Sequence, residues 1–419
     1  MTPSDTTTAP ATYREVFANS DFRLLFGANL AAVLGTTLRM VALSLLVYDV
    51  TGSAFLTALS YGLSFVPQAI GGALLGALPD RLRPRLLIVA GHSLECAVGA
   101  VVALAPLPVG AGLFLVALLG ALTPAFRGAT SKVIAQSLHG DAYVLGRSLV
   151  GLTISGGQLV ALAAGGLLVV WLGIPGALLA GALCHLLAAL VVRLGLTDLP
   201  AEGRSTGTLV QQSWSGMNVL LKGREMRPLF LAQWLPPAFM AGVESLIIPY
   251  ARARGFSVAS ASLLLACLPV GMIAGDLLMG RLVRPAVRVR LVMPLMALAG
   301  IAFTGFALEP PFAVCAALLG LAGVGNAYML GVQGRFRDAA PAALLGQAFA
   351  LLGTGLMVLQ GVGPMLFGAL AEWTGYGMAV TAAGAAAVAT AVALWPNWAR
   401  PNPNPDVQPP VRLQEAAEK

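Results

Sequence analysis

Charge is what this sequence has least of. Charged residues fill only 10% of its 419 positions, and only Lys132, Lys222 and Lys419 are lysines. An ordinary soluble protein carries about 25% charged residues. Length alone suggests about three soluble domains, but so few charges cannot cover three solvated surfaces. The four cysteines, Cys96, Cys184, Cys267 and Cys315, lie singly in apolar runs, which excludes both a disulfide framework and a CxxC metal pattern. No Gly-Lys-Ser/Thr phosphate loop is present, so ATP hydrolysis by that route is excluded. There is no HExxH or GxSxG motif and no convergent nucleophile and base to nominate. We expect no enzyme, no cofactor and no bound metal. The net charge of +7 is scattered along the chain in short clusters, unlike the single basic patch of a nucleic-acid binder. A hydrophobic content of 58% excludes disorder for the bulk.

Long apolar runs are what the sequence does have. A bilayer core of about 30 Å needs about 20 apolar residues per helix. Twelve runs meet that length, at 25–48, 54–77, 86–106, 110–131, 146–171, 174–194, 229–250, 257–279, 290–308, 312–334, 343–368 and 376–396. They are continuous rather than alternating, so helices are expected and not a barrel. The first run is too long for a signal-peptide core, and Asp5, Glu15 and Asp21 precede it where a basic n-region would stand, so no cleaved signal is expected.

Basic residues give the orientation. With both termini in the cytoplasm, 22 of the 25 Lys and Arg fall inside, Arg252 and Arg254 fall outside, and Arg39 lies within the membrane. The positive-inside rule selects that arrangement, in a plasma (inner) membrane. The expected organisation is a cytoplasmic segment at 1–24, a six-helix bundle at 25–194, a cytoplasmic linker at 195–228, a second six-helix bundle at 229–396 and a disordered cytoplasmic tail at 397–419. Within the linker, Val210, Trp214, Met217 and Leu221 repeat at helical spacing and predict a helix on the membrane surface.

The halves repeat. Gly166, Trp171 and Gly173 recur as Gly368, Trp373 and Gly375, at an offset of 202; Arg83-Pro84 recurs as Arg284-Pro285, and Lys132 aligns with Arg335. The expected fold is all-α, with twelve transmembrane helices in two pseudo-symmetric six-helix bundles.

Gly76-Ala-Leu-Pro-Asp80-Arg81-Leu-Arg83-Pro-Arg85 joins spans two and three. It resembles the G-x-x-x-D-R-x-G-R-R signature of the major facilitator superfamily. Gly76, Asp80, Arg81 and Arg85 match; Arg83 and Pro84 depart from it. Physically such a loop is either a cytoplasmic latch, with Asp80 pairing to Arg and a helix N-terminus, or a plain topological signal. Arg39 to Ser53 at the end of span one, and Pro124-Ala-Phe-Arg127 in span four, resemble the enterobactin-exporter and macrolide-efflux branch. That resemblance implies proton-driven export of small amphipathic organic molecules, of drug or siderophore class, by a monomer working through alternating access. Uniport, import, or a non-transporting receptor of the same fold are the alternatives. The exporters' G-P-x-x-G-G pattern is absent from span five, which has Ala161-Leu162-Ala-Ala-Gly165-Gly166. Gly363-Pro364 stands at the related place in span eleven, as a helix-bending element or as small-residue packing.

Charges inside apolar helices are the chemical leads, since each costs about 2.5–3.5 kcal/mol at a helix centre on insertion scales. Arg39 and Glu244 sit at near-equivalent places, 205 residues apart. They are either an outer gate or substrate-coordinating pair, or two residues snorkelling outward. Glu95, with His92 one turn earlier, and Asp276 are each either a proton carrier or a structural hydrogen-bonding group. Arg127 joins these as a candidate for substrate or proton coupling. Glu244 is the first choice for the proton, with small neighbours, Gly242 and Ser245, to admit water or ligand. His185 is expected to be packed.

Overall fold

The computed structural model describes residues 12–75, 78, 82–138, 140–198, 220–221, 223–340 and 345–398, and every regular element among them is helical. A short helix α1 (Tyr13–Ala18) opens it, closed by a capping box in which Thr12 and Glu15 each satisfy the other's backbone N–H. The first long helix, α2 (Ser20–Thr51), starts several residues before the apolar run because its first turn is polar. It stops where Gly52 takes φ 64°. Ser53 then caps α3 (Ala54–Gly62), accepting a hydrogen bond from the Leu56 N–H, and α4 (Val66–Leu75) follows. The chain continues as α5 (Pro84–Leu104), α6 (Val109–Ser137), α7 (Gly140–Gly195), α8 (Met226–Ala253), α9 (Val258–Leu282), α10 (Pro285–Thr304), α11 (Phe312–Gly325), α12 (Tyr328–Ala339), α13 (Leu345–Thr374) and α14 (Tyr376–Trp398).

Eleven helical runs among the described residues are long and apolar enough to cross a membrane. One of them, Leu145–Gly195, has 51 residues, about 77 Å at 1.5 Å per residue and far more than a bilayer core requires. It is broken at Gly173, where φ 71° and ψ 173° are not helical. Divided there, α7 supplies two passages of the expected length.

The internal repeat reappears in the backbone. All four glycines with positive φ among the described residues, Gly52, Gly173, Gly255 and Gly375, fall into two pairs, Gly52 with Gly255 and Gly173 with Gly375. Only glycine enters that region without a steric penalty. Trp171 and Trp373, two residues before the second pair, are 77% and 89% exposed, the placement of interfacial aromatic residues. Arg83 and Arg284 each stand at an N-cap with proline at the first helical position of α5 and α10.

The chain forms two compact units. Unit 1 takes Met1–Leu43 and Ile70–Ser205, and unit 2 takes Ser44–Ala69 and Thr206–Lys419. Helices in lipid gain little from the hydrophobic effect against one another, so small residues that permit close packing carry the association. In unit 1, a Cβ on Gly35 of α2 would stand 2.7 Å from the Gly181 carbonyl oxygen of α7. In unit 2, Gly271 and Gly275 of α9 press against Gly320 and Val324. A core around Phe22, Leu25, Val133 and Val192 closes unit 1; one around Phe230, Met296, Tyr328 and Phe336 closes unit 2. Of the linker's predicted surface helix, Leu221 is helical; Val210, Trp214 and Met217, like the tail from Arg400, lie outside the described residues.

Candidate functional site

Unit 1 gathers its buried polar groups from three helices. Arg39 of α2, only 9% exposed, donates through Nη1 to Glu95 Oε2 of α5 at 2.5 Å. One turn before Arg39, the Thr36 hydroxyl lies 3.3 Å from His185 Nε2 of α7. One turn before Glu95, the His92 ring lies 5.8 Å from the His185 ring, tilted by 33°. The helical i, i+3 spacing puts each polar pair on one face. Glycine makes the room: a Cβ on Gly35 would meet the His185 ring carbon at 2.8 Å. His185 is packed, as expected, at 3% exposure. Its Nδ1 has no hydrogen-bond partner among the described residues.

Arg127 of α6 lies within coulombic reach of Glu95, yet it is exposed and has no hydrogen bond among the described residues. In the loop signature, Arg85 donates to the Arg193 carbonyl oxygen, and Arg83 reaches Asp198 Oδ2 at 3.0 Å. Gly76, Asp80 and Arg81 lie outside the described residues.

In unit 2, Glu244 of α8 accepts a hydrogen bond from the Tyr61 hydroxyl of α3. Arg39 and Glu244, expected either as an outer gate or substrate-coordinating pair or as two residues snorkelling outward, have Glu95 and Tyr61 as partners within their own units. The space expected beside Glu244 is also filled. A Cβ on Gly242 would stand 2.5 Å from the Phe367 ring, and the buried Ser245 hydroxyl donates back to the Gly242 carbonyl oxygen at 2.7 Å. Small residues here admit a neighbouring helix. Gly363 does the same, since an added Cβ would overlap the Ala238 carbonyl oxygen, and α13 runs on through Pro364. Asp276 of α9 is exposed and has no partner among the described residues.

Sequence reasoning missed a second polar group in unit 2. Glu372 accepts from the Ser53 hydroxyl at 2.6 Å and from the Phe55 N–H at 2.9 Å, adding a carboxylate to the N-terminus of α3. The Tyr48 and Tyr376 hydroxyls stand 3.1 Å apart, and Arg252 reaches Asp49 at 3.2 Å. The only available signal was the polar cluster Asp49, Thr51 and Ser53 after an apolar run. Further along, burial lowers the pKa of Arg335. Its guanidinium stacks 4.7 Å from the Trp398 ring. No group of three or more His, Cys, Asp or Glu among the described residues could hold a metal ion.

A family model described as Major Facilitator Superfamily matches residues 25–332 and 245–417. No curated protein matches. Among solved structures, the nucleoside transporter NupG is similar at a TM-score of 0.70 and 15% identity, covering 90% of this chain and 100% of that one. A POT family transporter in complex with a thioalcohol-conjugated peptide gives 0.70 and 12%, over 90% and 96%. A bacterial homolog of the human lysosomal transporter Spinster gives 0.60 and 16%, over 90% and 95%. At these identities the likeness is one of fold.

Proposed function

We propose that this chain, which belongs to the Major Facilitator Superfamily, exports small amphipathic organic molecules of drug or siderophore class in exchange for protons. It is a multi-pass membrane transporter and not an enzyme, and its fold implies a small-molecule substrate. The finer reading rests on Glu244. This carboxylate sits inside an apolar helix with a hydroxyl as its hydrogen-bond partner. A hydroxyl donates to a carboxylate and accepts from a carboxylic acid, so Tyr61 serves both protonation states. A guanidinium can donate to either state, but a neutral partner leaves its charge uncompensated among apolar neighbours. Glu244 is accordingly the proton carrier, and the Arg39–Glu95 pair is a fixed element.

The segment Arg39 to Ser53 supports the export direction through its resemblance to the exporter branch. Alternating access would be held shut on the cytoplasmic side by Asp80, Arg81 and Arg85, with both termini cytoplasmic, in the plasma membrane, in a monomer. Asp276 and Arg127 are secondary candidates for coupling. A uniporter or importer is the second reading, favoured by the absence of Gly-Pro from span five.

The experiment is transport by the purified protein in liposomes with an imposed proton gradient, screened against amphipathic organic molecules, macrolides and siderophores. Export predicts substrate accumulation that collapses when the gradient is dissipated. Movement indifferent to the gradient would establish the uniporter. Cysteine labelling in a background without the native cysteines checks orientation, with position 255 reactive from outside and position 207 only after permeabilisation.

A further inference from the structure

The two sides of α6 differ in character. In its first half the exposed residues are apolar, Phe114 and Leu118, as a lipid-facing surface requires. Arg127 comes nine residues after Leu118, about half a turn round at 100° per residue. Val116 and Gly120 lie on Arg127's side of the helix and are buried. Arg127 therefore stands on the packed side, exposed between Gly120 and Ile134, which are both buried. Ser131, one turn on, is also exposed. Arg147 of α7, exposed as well, donates to the Ser131 hydroxyl at 3.5 Å.

Among the described residues, no carboxylate pairs with the two guanidiniums of this cluster. The carboxylate acting on Arg127 is Glu95, which Arg39 already engages. Arg127 lies one helical turn before Ser131 on α6, and Arg147 reaches Ser131 from α7; guanidinium forks bind the oxygens of a carboxylate or phosphate in bidentate fashion.

We infer that Arg127, Ser131 and Arg147 form an anion-recognition site in unit 1, and that the transported molecule carries a carboxylate or phosphate on an apolar body. The inference rests on the transport reading for its physiological meaning, although the site itself is testable without transport. A membrane lipid's phosphate has the same chemistry, so the test separates the two sources.

The full-length protein is placed in phosphatidylcholine nanodiscs. Its unfolding temperature is followed against phenyl phosphate, phenylacetate, 2-phenylethanol and phenyltrimethylammonium. Both anions should raise it saturably, while the alcohol and the cation leave it unchanged. Arg127→Gln and Arg147→Gln should each weaken the apparent affinity for phenyl phosphate about tenfold, the loss of one charge-assisted contact. Arg127→Lys should recover part of that loss. Arg14→Gln, at an exposed arginine of α1, should bind as the unaltered protein does. No response to either anion, or unchanged affinity in both glutamine variants, would overturn the inference. Stabilisation by phosphatidylglycerol that Arg127→Gln abolishes, with phenyl phosphate inert in neutral discs, would assign the site to a lipid headgroup and overturn the substrate assignment. None of these readouts uses a proton gradient, so their failure is distinct from failure of the transport reading.

Discussion

In unit 1 Glu95 meets a guanidinium at 2.5 Å; in unit 2 Glu244 meets the hydroxyl of Tyr61. Both carboxylates lie in apolar helices, and both take their partner from a helix far away in sequence. The partners differ in what they tolerate. With a fixed positive charge beside it, removing the charge of Glu95 leaves Arg39 uncompensated among apolar neighbours. With a hydroxyl beside it, Glu244 keeps a hydrogen bond in either state. On the function proposed above, the difference separates a carboxylate that holds structure from one free to exchange a proton.

Arg39→Met probes the comparison with the largest expected effect. It leaves Glu95 buried without its counter-charge, which should cost about 3–5 kcal/mol, visible as a lowered unfolding temperature and reduced abundance in the membrane. The double variant Arg39→Met, Glu95→Leu should recover most of that stability, because removing both charges removes the uncompensated one. Tyr61→Phe should cost about 1–3 kcal/mol in the same unfolding measurement, since a neutral acid can form in place of the lost contact. A loss as large as that of Arg39→Met would erase the distinction between the units. Glu372→Ala sets the lower end. It removes a carboxylate from the start of α3 and should cost about 1 kcal/mol, like the loss of other N-caps.

The passages and the repeat were legible in the sequence; the partners were not. Apolar runs of about 20 residues permit few alternatives in a bilayer, and the Gly173 and Gly375 match marked two turns that the backbone closes with positive φ. Pairing depends on the rotation of each helix about its axis. A soluble helix reveals that angle through its apolar stripe, but α2 and α9 are apolar all round, so Arg39 carried no sign of which neighbour it faced. Glu95 lies 56 residues away, and Tyr61 lies 183 residues from Glu244. Residue size misled in the same way. Gly242 and Ser245 read as open space, and in the fold Phe367 occupies it, because small residues in lipid serve close helix packing as readily as a water path.

The proton assignment is tested most directly by proton flux in liposomes, with and without substrate, for the unaltered protein, Glu244→Gln and Glu95→Gln side by side. The amide of Glu244→Gln keeps the shape and most of the hydrogen-bonding capacity, so substrate should still bind while substrate-dependent proton movement is abolished. Glu95→Gln should lose stability and retain coupled proton movement in the fraction that folds. Wild-type proton flux in Glu244→Gln, or loss of coupling confined to well-folded Glu95→Gln, would contradict the assignment and move the proton to unit 1.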